Sequence, residues 1–397
     1  MKIVFLGNPR KSHTHRWAYW LSTQGHDVVI IGDAEKDDSL YYGSVRVIRP
    51  RWPRIRGFVR FRVLGGEFAN NRHKGRLYKP IVAAENPDIV HAHEALAYGP
   101  ALADLPEYPR VLTPWGPDME KLADPKTEAA KLVRLAVQSA DVITSNAPGM
   151  EARWAALSGI AEDRFRLFPW GVNTGFFFRR SDEEQLQVRQ ALELPPGAPL
   201  VLSPRLANPL YRIPAIIAAW KSARAGAAPD SRLRDGLLVI LRAGATDESW
   251  ASIRKESVGD PSIRLVDDYQ NANRMAQLYS AASAVVMIPE TDLLAMSLLE
   301  AMACGALPIV ADLPCYRAAV ADLASSPSAV GTAIVAREPI AEGLLEAFRR
   351  WNDASETTVS SAGARNSRIA VESFAWDRSA QRLIDVYTEA IAKHRSP

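Results

Sequence analysis

Asp292 and Glu300 stand eight residues apart in ETDLLAMSLLEAMACGALPIV, residues 290–310, where a polar stretch passes into apolar residues at helical spacing and then, beyond a glycine, into a β-branched run. A helix starting near Ser297 leaves its first backbone N–H groups, around Met296, Ser297 and Leu298, unpaired and aimed at the carboxyl end of the preceding strand. That arrangement is an anion site suited to a diphosphate. Asp292, in the loop, then accepts hydrogen bonds from sugar hydroxyls, and Glu300, about a turn into the helix, takes a ribose diol. The same spacing also fits a capped surface helix, with Ser297 as N-cap and Glu300 closing a capping box. Spacing alone leaves both open.

PDIVHAH, residues 87–93, ends in two histidines, and in a strand His91 and His93 point to the same face. Either can be the functional one, and a histidine closing a strand can equally be structural. The only cysteines, Cys304 and Cys315, have no CxxC or Cys/His metal spacing. The acidic pairs Asp37-Asp38 and Asp267-Asp268 lie in polar, turn-like contexts, so no apolar-flanked DxD metal motif is present and no metal is expected.

Charge is concentrated in one place. Between Arg46 and Lys79 lie Arg49, Arg51, Arg54, Arg56, Arg60, Arg62, Arg72, Lys74 and Arg76, interleaved with Trp52, Phe58, Phe61 and Phe68 and opposed by the single acid Glu67. Such a mixture suits an anionic membrane surface or a polyanionic acceptor, and as plainly a solvated helix and loop. No nucleic-acid recognition motif accompanies it.

The elements that must position these residues are βα units. KIVFLG, HDVVIIG, PDIVHAH, RVLTPWG, ADVITSN and FRLFPWGV read as strands in the first half, and LVLSPRL, GLLVILRAG, SIRLV, SAVVMIP, ALPIVA and TAIVA in the second, with helical patterns between. Near-continuous apolar strands separated by helices mean parallel sheets covered on both faces. The expected fold is α/β, with two doubly wound, Rossmann-like domains facing a central cleft, residues 1–178 and 185–374. FAWDRSAQRLIDVYTEAIAKH is an amphipathic helix with Trp376, Leu383, Ile384 and Tyr387 on its buried side. This helix, about 375–397, is expected to pack back on the first domain. The length of 397 residues supports two cores, and 47% hydrophobic with 23% charged residues is a globular balance. A net charge of +3 does not imply a general nucleic-acid binder. IVFLG is too short for a signal-peptide core and no run approaches the ~20 apolar residues of a membrane span. A cytoplasmic protein, peripheral on the membrane at most, is the expectation.

TDLLAMSLLEAMACGALPIV resembles the signature of the family-4 glycosyltransferases of GT-B fold, in which two acidic residues flank the entry to an LLEAMACG-type helix; here the first is Asp292 where glutamate is usual. KSHTHRWAYWLSTQGHDV is similar to the first helix of that family, PDIVHAH and VLTPWGPD to the strand endings facing acceptor and reaction centre. FRLFPWGVNTGFF is similar to the domain crossover, with Asn173 for the commoner aspartate, and SPRLANPLYRIPAIIAAW to the donor-phosphate loop. The resemblance implies retaining transfer from a nucleotide-sugar co-substrate to a glycan or lipid-linked hydroxyl acceptor, without a metal or other cofactor. It implies catalytic roles for His93, Asp292 and Arg205, donor contacts from Arg205, Asp292, Met296, Ser297, Leu298 and Glu300, and acceptor-side positions at His13, Trp115 and Asp118. Where the family has an arginine and then a lysine on the diphosphate, Arg205 matches the first and Arg212 is the cation that stands in for the second. Rival readings are another GT-B activity, such as a sugar-nucleotide epimerase or an inverting transferase, and a catalytically weak scaffold that binds nucleotide-sugar or membrane.

Overall fold

The structure is a computed structural model that describes residues 1–38, 40–51, 69–147, 149–191, 193–195, 197–242, 246–267, 271–320 and 331–395. The chain divides into two compact units, Met1–Phe168 with Ala380–Pro397, and Pro169–Ser379.

In the first unit, β1 (Lys2–Leu6), β2 (Asp27–Ile31), β3 (Arg46–Ile48), β4 (Ile89–His93), β5 (Arg110–Thr113), β6 (Val142–Ser145) and β7 (Phe165–Leu167) form one parallel sheet in the order β3-β2-β1-β4-β5-β6-β7. Apolar residues fill both faces of the central strands: Ile3, Val4, Phe5, Leu6, Ile89, Val90, Val111 and Leu112 are all fully buried. Strand order reverses between β1 and β4, and in such sheets ligands bind beyond the carboxyl ends of the strands at that switch point. The helix Ser12–Thr23 follows β1 closely because Gly7 has no side chain; a Cβ there would stand 3.0 Å from Thr14 Cγ2 and 3.5 Å from His93 Cβ.

The second unit repeats the plan. β8 (Leu200–Ser203), β9 (Leu237–Leu241), β10 (Ile263–Val266), β11 (Ala284–Met287), β12 (Leu307–Ala311) and β13 (Ile334–Ala336) form a parallel sheet in the order β10-β9-β8-β11-β12-β13. Its switch point lies between β8 and β11. The chain leaving β8 therefore carries Arg205, and the chain leaving β11 carries Asp292, to the same edge. Residues 179–184, between the two expected domains, lie within this unit, and Arg179 Nη2 donates to Ser360 Oγ at 2.8 Å.

The last helix, Trp376–Arg395, buries Ala380, Leu383, Val386, Tyr387 and Ala390. Trp376 and Ile384, expected on that side, are only half-buried. From Ala380 onward the helix belongs to the first unit, where the Tyr387 hydroxyl lies 2.7 Å from His91 Nδ1 and Glu389 accepts from Arg166 Nε at 2.7 Å. Cys304 and Cys315 are buried thiols not joined in a disulfide. Among the described residues no helix is long and apolar enough to cross a membrane.

Candidate functional site

At the switch point of the second sheet, Arg205 draws the β8 and β11 loops together. Its Nη1 donates to Ser297 Oγ at 2.8 Å, and its Nη2 donates to Tyr211 OH at 2.8 Å and to Asp292 Oδ2 at 2.7 Å. The guanidinium carbon also sits 4.4 Å from the centroid of the Tyr211 ring. Tyr316 donates its hydroxyl to the same Asp292 oxygen at 2.7 Å, and the Leu293 N–H donates to the other at 2.9 Å. Burial pushes the Asp292 carboxyl up from its ordinary range, and the Arg205 charge and the Tyr316 hydroxyl counter it. Burial likewise opposes the Arg205 charge, but Asp292 and the two tyrosines outweigh it and hold the guanidinium above its usual value. The result is a part-buried cation fixed in orientation before any ligand arrives.

The helix bearing Glu300 spans Met296–Ala303, so it begins one residue earlier than the sequence indicated. Its N-cap is Ala295, with no side-chain cap bond, and Ser297 Oγ is engaged with Arg205, which removes the capping-box account. Leu298 corrects the expected anion site, because its N–H donates to Ala295 O at 3.1 Å. The N–H groups of Met296 and Ser297 precede the first intrahelical bond and remain at the helix mouth. Glu300 is half-buried beside Tyr279; burial and then the Glu300 charge push that tyrosine hydroxyl far up, and the two side chains are hydrogen-bonded.

Arg212 is placed differently from Arg205. It caps the helix Ile213–Ala225 in a left-handed conformation (φ 52°), and its side chain pairs with Glu338 at 2.7 Å and with Glu290 at 3.5 Å. The Glu290 N–H in turn donates to Leu210 O at 3.0 Å, a second tie between the β8 and β11 loops. Asn173 closes a turn, its Oδ1 accepting from Gly175 N at 3.1 Å.

At the switch point of the first sheet the structure brings His13, His93 and Trp115 together. Ring centroids lie 5.3 Å apart for His13 and Trp115 and 6.5 Å apart for His93 and Trp115. His93 Nδ1 lies 3.0 Å from Thr14 Oγ1, while its buried Nε2 has no partner among the described residues. Burial lowers both imidazoles to about 3; the charges of Arg16 and Lys11 add to this at His13, and the neighbouring His13 ring adds to it at His93. Both rings are therefore neutral at physiological pH. His91 is the structural one of the pair, since its Nδ1 meets Tyr387 OH and its Nε2 meets Thr113 Oγ1, each at 2.7 Å. Asp118 is also occupied structurally. Its carboxylate accepts from the backbone N–H of Ala95 at 2.7 Å, of Leu96 at 3.1 Å and of Trp115 at 2.7 Å, so it joins the loops after β4 and β5.

The basic stretch is only partly described. Arg54, Arg56, Arg60, Arg62, Trp52, Phe58, Phe61 and Phe68 lie outside the described residues. Of the rest, Arg49 pairs with Glu35 at 2.8 Å, and Lys79 with Glu107 at 3.0 Å. Lys74 is not a surface cation at all. It is buried against Asp33 at 2.6 Å, with its ammonium 4.2 Å from the centroid of the Tyr98 ring.

Residues 11–176 match the Glycosyltransferase Family 4 model. D-inositol 3-phosphate glycosyltransferase of Streptosporangium roseum is 28% identical over 271 residues, 66% of this chain and 58% of that relative, so the match spans less than two thirds of the relative's length. Sucrose-phosphate synthase from Thermosynechococcus elongatus superposes with a TM-score of 0.76 at 18% identity, covering 99% of each chain. Over residues 11–176 the chain is similar to the family-4 glycosyltransferases. Its fold is GT-B, shared also with Anabaena HepE in complex with UDP, at a TM-score of 0.72 and 13% identity over 98% of this chain and 100% of that one.

The residues that sequence reasoning missed are tyrosines. Tyr211 and Tyr316 orient Arg205 and Asp292, and Tyr279 holds Glu300. Tyr211 is six residues from Arg205 in the phosphate-loop segment, which is the one signal that marked it. Tyr316 and Tyr279 lie in helices whose patterns read as ordinary core.

Proposed function

We propose that this protein transfers a hexose-type sugar from a nucleoside-diphosphate donor to a hydroxyl of a glycan or lipid-linked acceptor, with retention of configuration and without a metal. The observation that carries this reading is the fixed Arg205 guanidinium, held by Ser297, Tyr211 and Asp292 at the carboxyl edge where β8 and β11 diverge, beside the N-terminus of the Met296–Ala303 helix. A cation and the two N–H groups at the helix mouth are suited to the charge of a departing diphosphate. Asp292 takes sugar hydroxyls and Glu300 the ribose. The neutral His93, with one unengaged ring nitrogen, is suited to a sugar or acceptor hydroxyl. The arginines near residues 49–62 are proposed to meet an anionic surface on the acceptor side. Arg212 joins the diphosphate only by releasing Glu338 and Glu290, both well exposed, and its engagement there favours a catalytically weak nucleotide-sugar binder as the second reading.

Glu300→Gln is expected to weaken binding of the free nucleoside diphosphate, while Asp292→Ala spares it and lowers turnover of the sugar donor. Titration calorimetry with the diphosphate, alongside donor turnover, separates the two. Equal losses of diphosphate affinity in both variants would contradict the division of roles.

A further inference from the structure

Glu94 follows β4 directly, next to His93, and its backbone is left-handed, with φ 64°. That region is strained for a residue with a long side chain and open to glycine. Nothing in the backbone pattern calls for a glutamate. The N–H donates to Thr113 O at 3.1 Å, and the carbonyl accepts from Tyr98 N at 3.1 Å and Gly99 N at 3.0 Å, bonds that a glycine would make equally well. Strain of this kind persists where the side chain has another use.

The carboxylate itself is half-buried and accepts no hydrogen bond from any described residue. Burial, and next the charge of Asp118, push it up to about 7, against the pull of Lys11 and Lys74. Those cations do not neutralise it. Lys74 is committed to Asp33, to the Ala97 carbonyl at 3.0 Å and to the Tyr98 ring, and Asp118 is filled by three backbone N–H groups. Two consecutive residues, His93 and Glu94, thus each carry a polar group with no hydrogen-bond partner among the described residues, at the switch point of the first sheet.

We propose that the Glu94 carboxylate binds the acceptor by taking a hydrogen bond from one of its hydroxyls, and so selects a neutral polyol over an acceptor presenting an anionic group at that point. The inference rests on the glycosyltransferase reading above, with the acceptor taken by the first unit. The ionised carboxylate is the stronger acceptor of such a bond, so acceptor use declines as pH falls below about 7.

The test uses the full chain, its best nucleotide-sugar donor, and glucose, myo-inositol and N-acetylglucosamine beside their phosphates as acceptor probes. Glu94→Gln and Glu94→Gly are each expected to raise KM for the neutral acceptor at least tenfold, to flatten its pH dependence and to leave donor hydrolysis unchanged. Glu94→Gly is also expected to raise Tm, which separates lost function from lost folding. An unchanged acceptor KM in both variants, or a parallel loss of donor hydrolysis, overturns the proposal. So does a wild type that hydrolyses donor but uses only the phosphates. A wild type that releases no diphosphate from any donor instead contradicts the proposed function, and this inference falls with it.

Discussion

Arg205→Ala lowers turnover of the nucleotide-sugar by on the order of a hundredfold or more, the usual consequence of removing one preorganised donor from a developing charge. The expectation follows from geometry. One guanidinium serves Ser297, Tyr211 and Asp292 at 2.7 to 2.8 Å, so its loss removes one of the ties between the β8 and β11 loops and leaves Asp292 with Tyr316 as its remaining side-chain donor. Arg205→Lys restores the charge but not the fork that reaches three partners, and should recover only a small part of the activity. Asp292 and Arg205 act as a unit, so the double variant Arg205→Ala/Asp292→Ala should be far less impaired than the product of the single losses. Steady-state kinetics of the four forms measures this. Multiplicative losses would show that the pair is a contact without shared work.

Gly363→Ala destabilises the protein by about 3 kcal/mol, the upper part of the range for overpacking. Gly363 lies in the helix Glu356–Phe374, and a Cβ on it would stand 2.1 Å from the carbonyl oxygen and 3.1 Å from the carbonyl carbon of Gly305. Both atoms are backbone, so no side chain can swing aside. Gly305, with φ 83°, ends the chain's turn out of the Met296–Ala303 helix, and moving it shifts the helix that carries Ser297 and Glu300. Nucleoside diphosphate affinity should fall along with Tm. Gly226→Ala, whose Cβ would meet nothing nearer than 3.9 Å, is the control and should leave both near wild type. Urea unfolding and calorimetry on the two variants check it, and equal stabilities would show that the two backbones part readily at this point.

The parallel sheets were legible because a strand buried on both faces is near-continuously apolar, as are IVFL within KIVFL, VVII within DVVII, LVL within LVLS, and AVVM. β3 was not legible: three edge residues, Arg46–Ile48, carry no such run. Arg205 and Asp292 were found as separate motif positions, 87 residues apart, and nothing in the sequence tied them into one ion pair. The helix start was read one residue late, because Ser297 is a good cap by type whereas the chain uses Ala295 and turns the serine toward Arg205. Asp118 was placed on the acceptor side by resemblance alone; the three N–H groups that enclose it come from two loops that meet only in the folded sheet, which the sequence does not show. Lys74 was misplaced for a similar reason, its neighbours in sequence being basic and its partner Asp33 lying on another βα turn.

The most direct test of the central claim is release of nucleoside diphosphate from UDP-, GDP-, ADP- and dTDP-sugars, measured in EDTA for the wild type and for Arg205→Ala. Release from at least one donor by the wild type, reduced a hundredfold or more in the variant, is the predicted result. No release from any of the four, or activity that appears only on adding Mn²⁺ or Mg²⁺, would contradict the account.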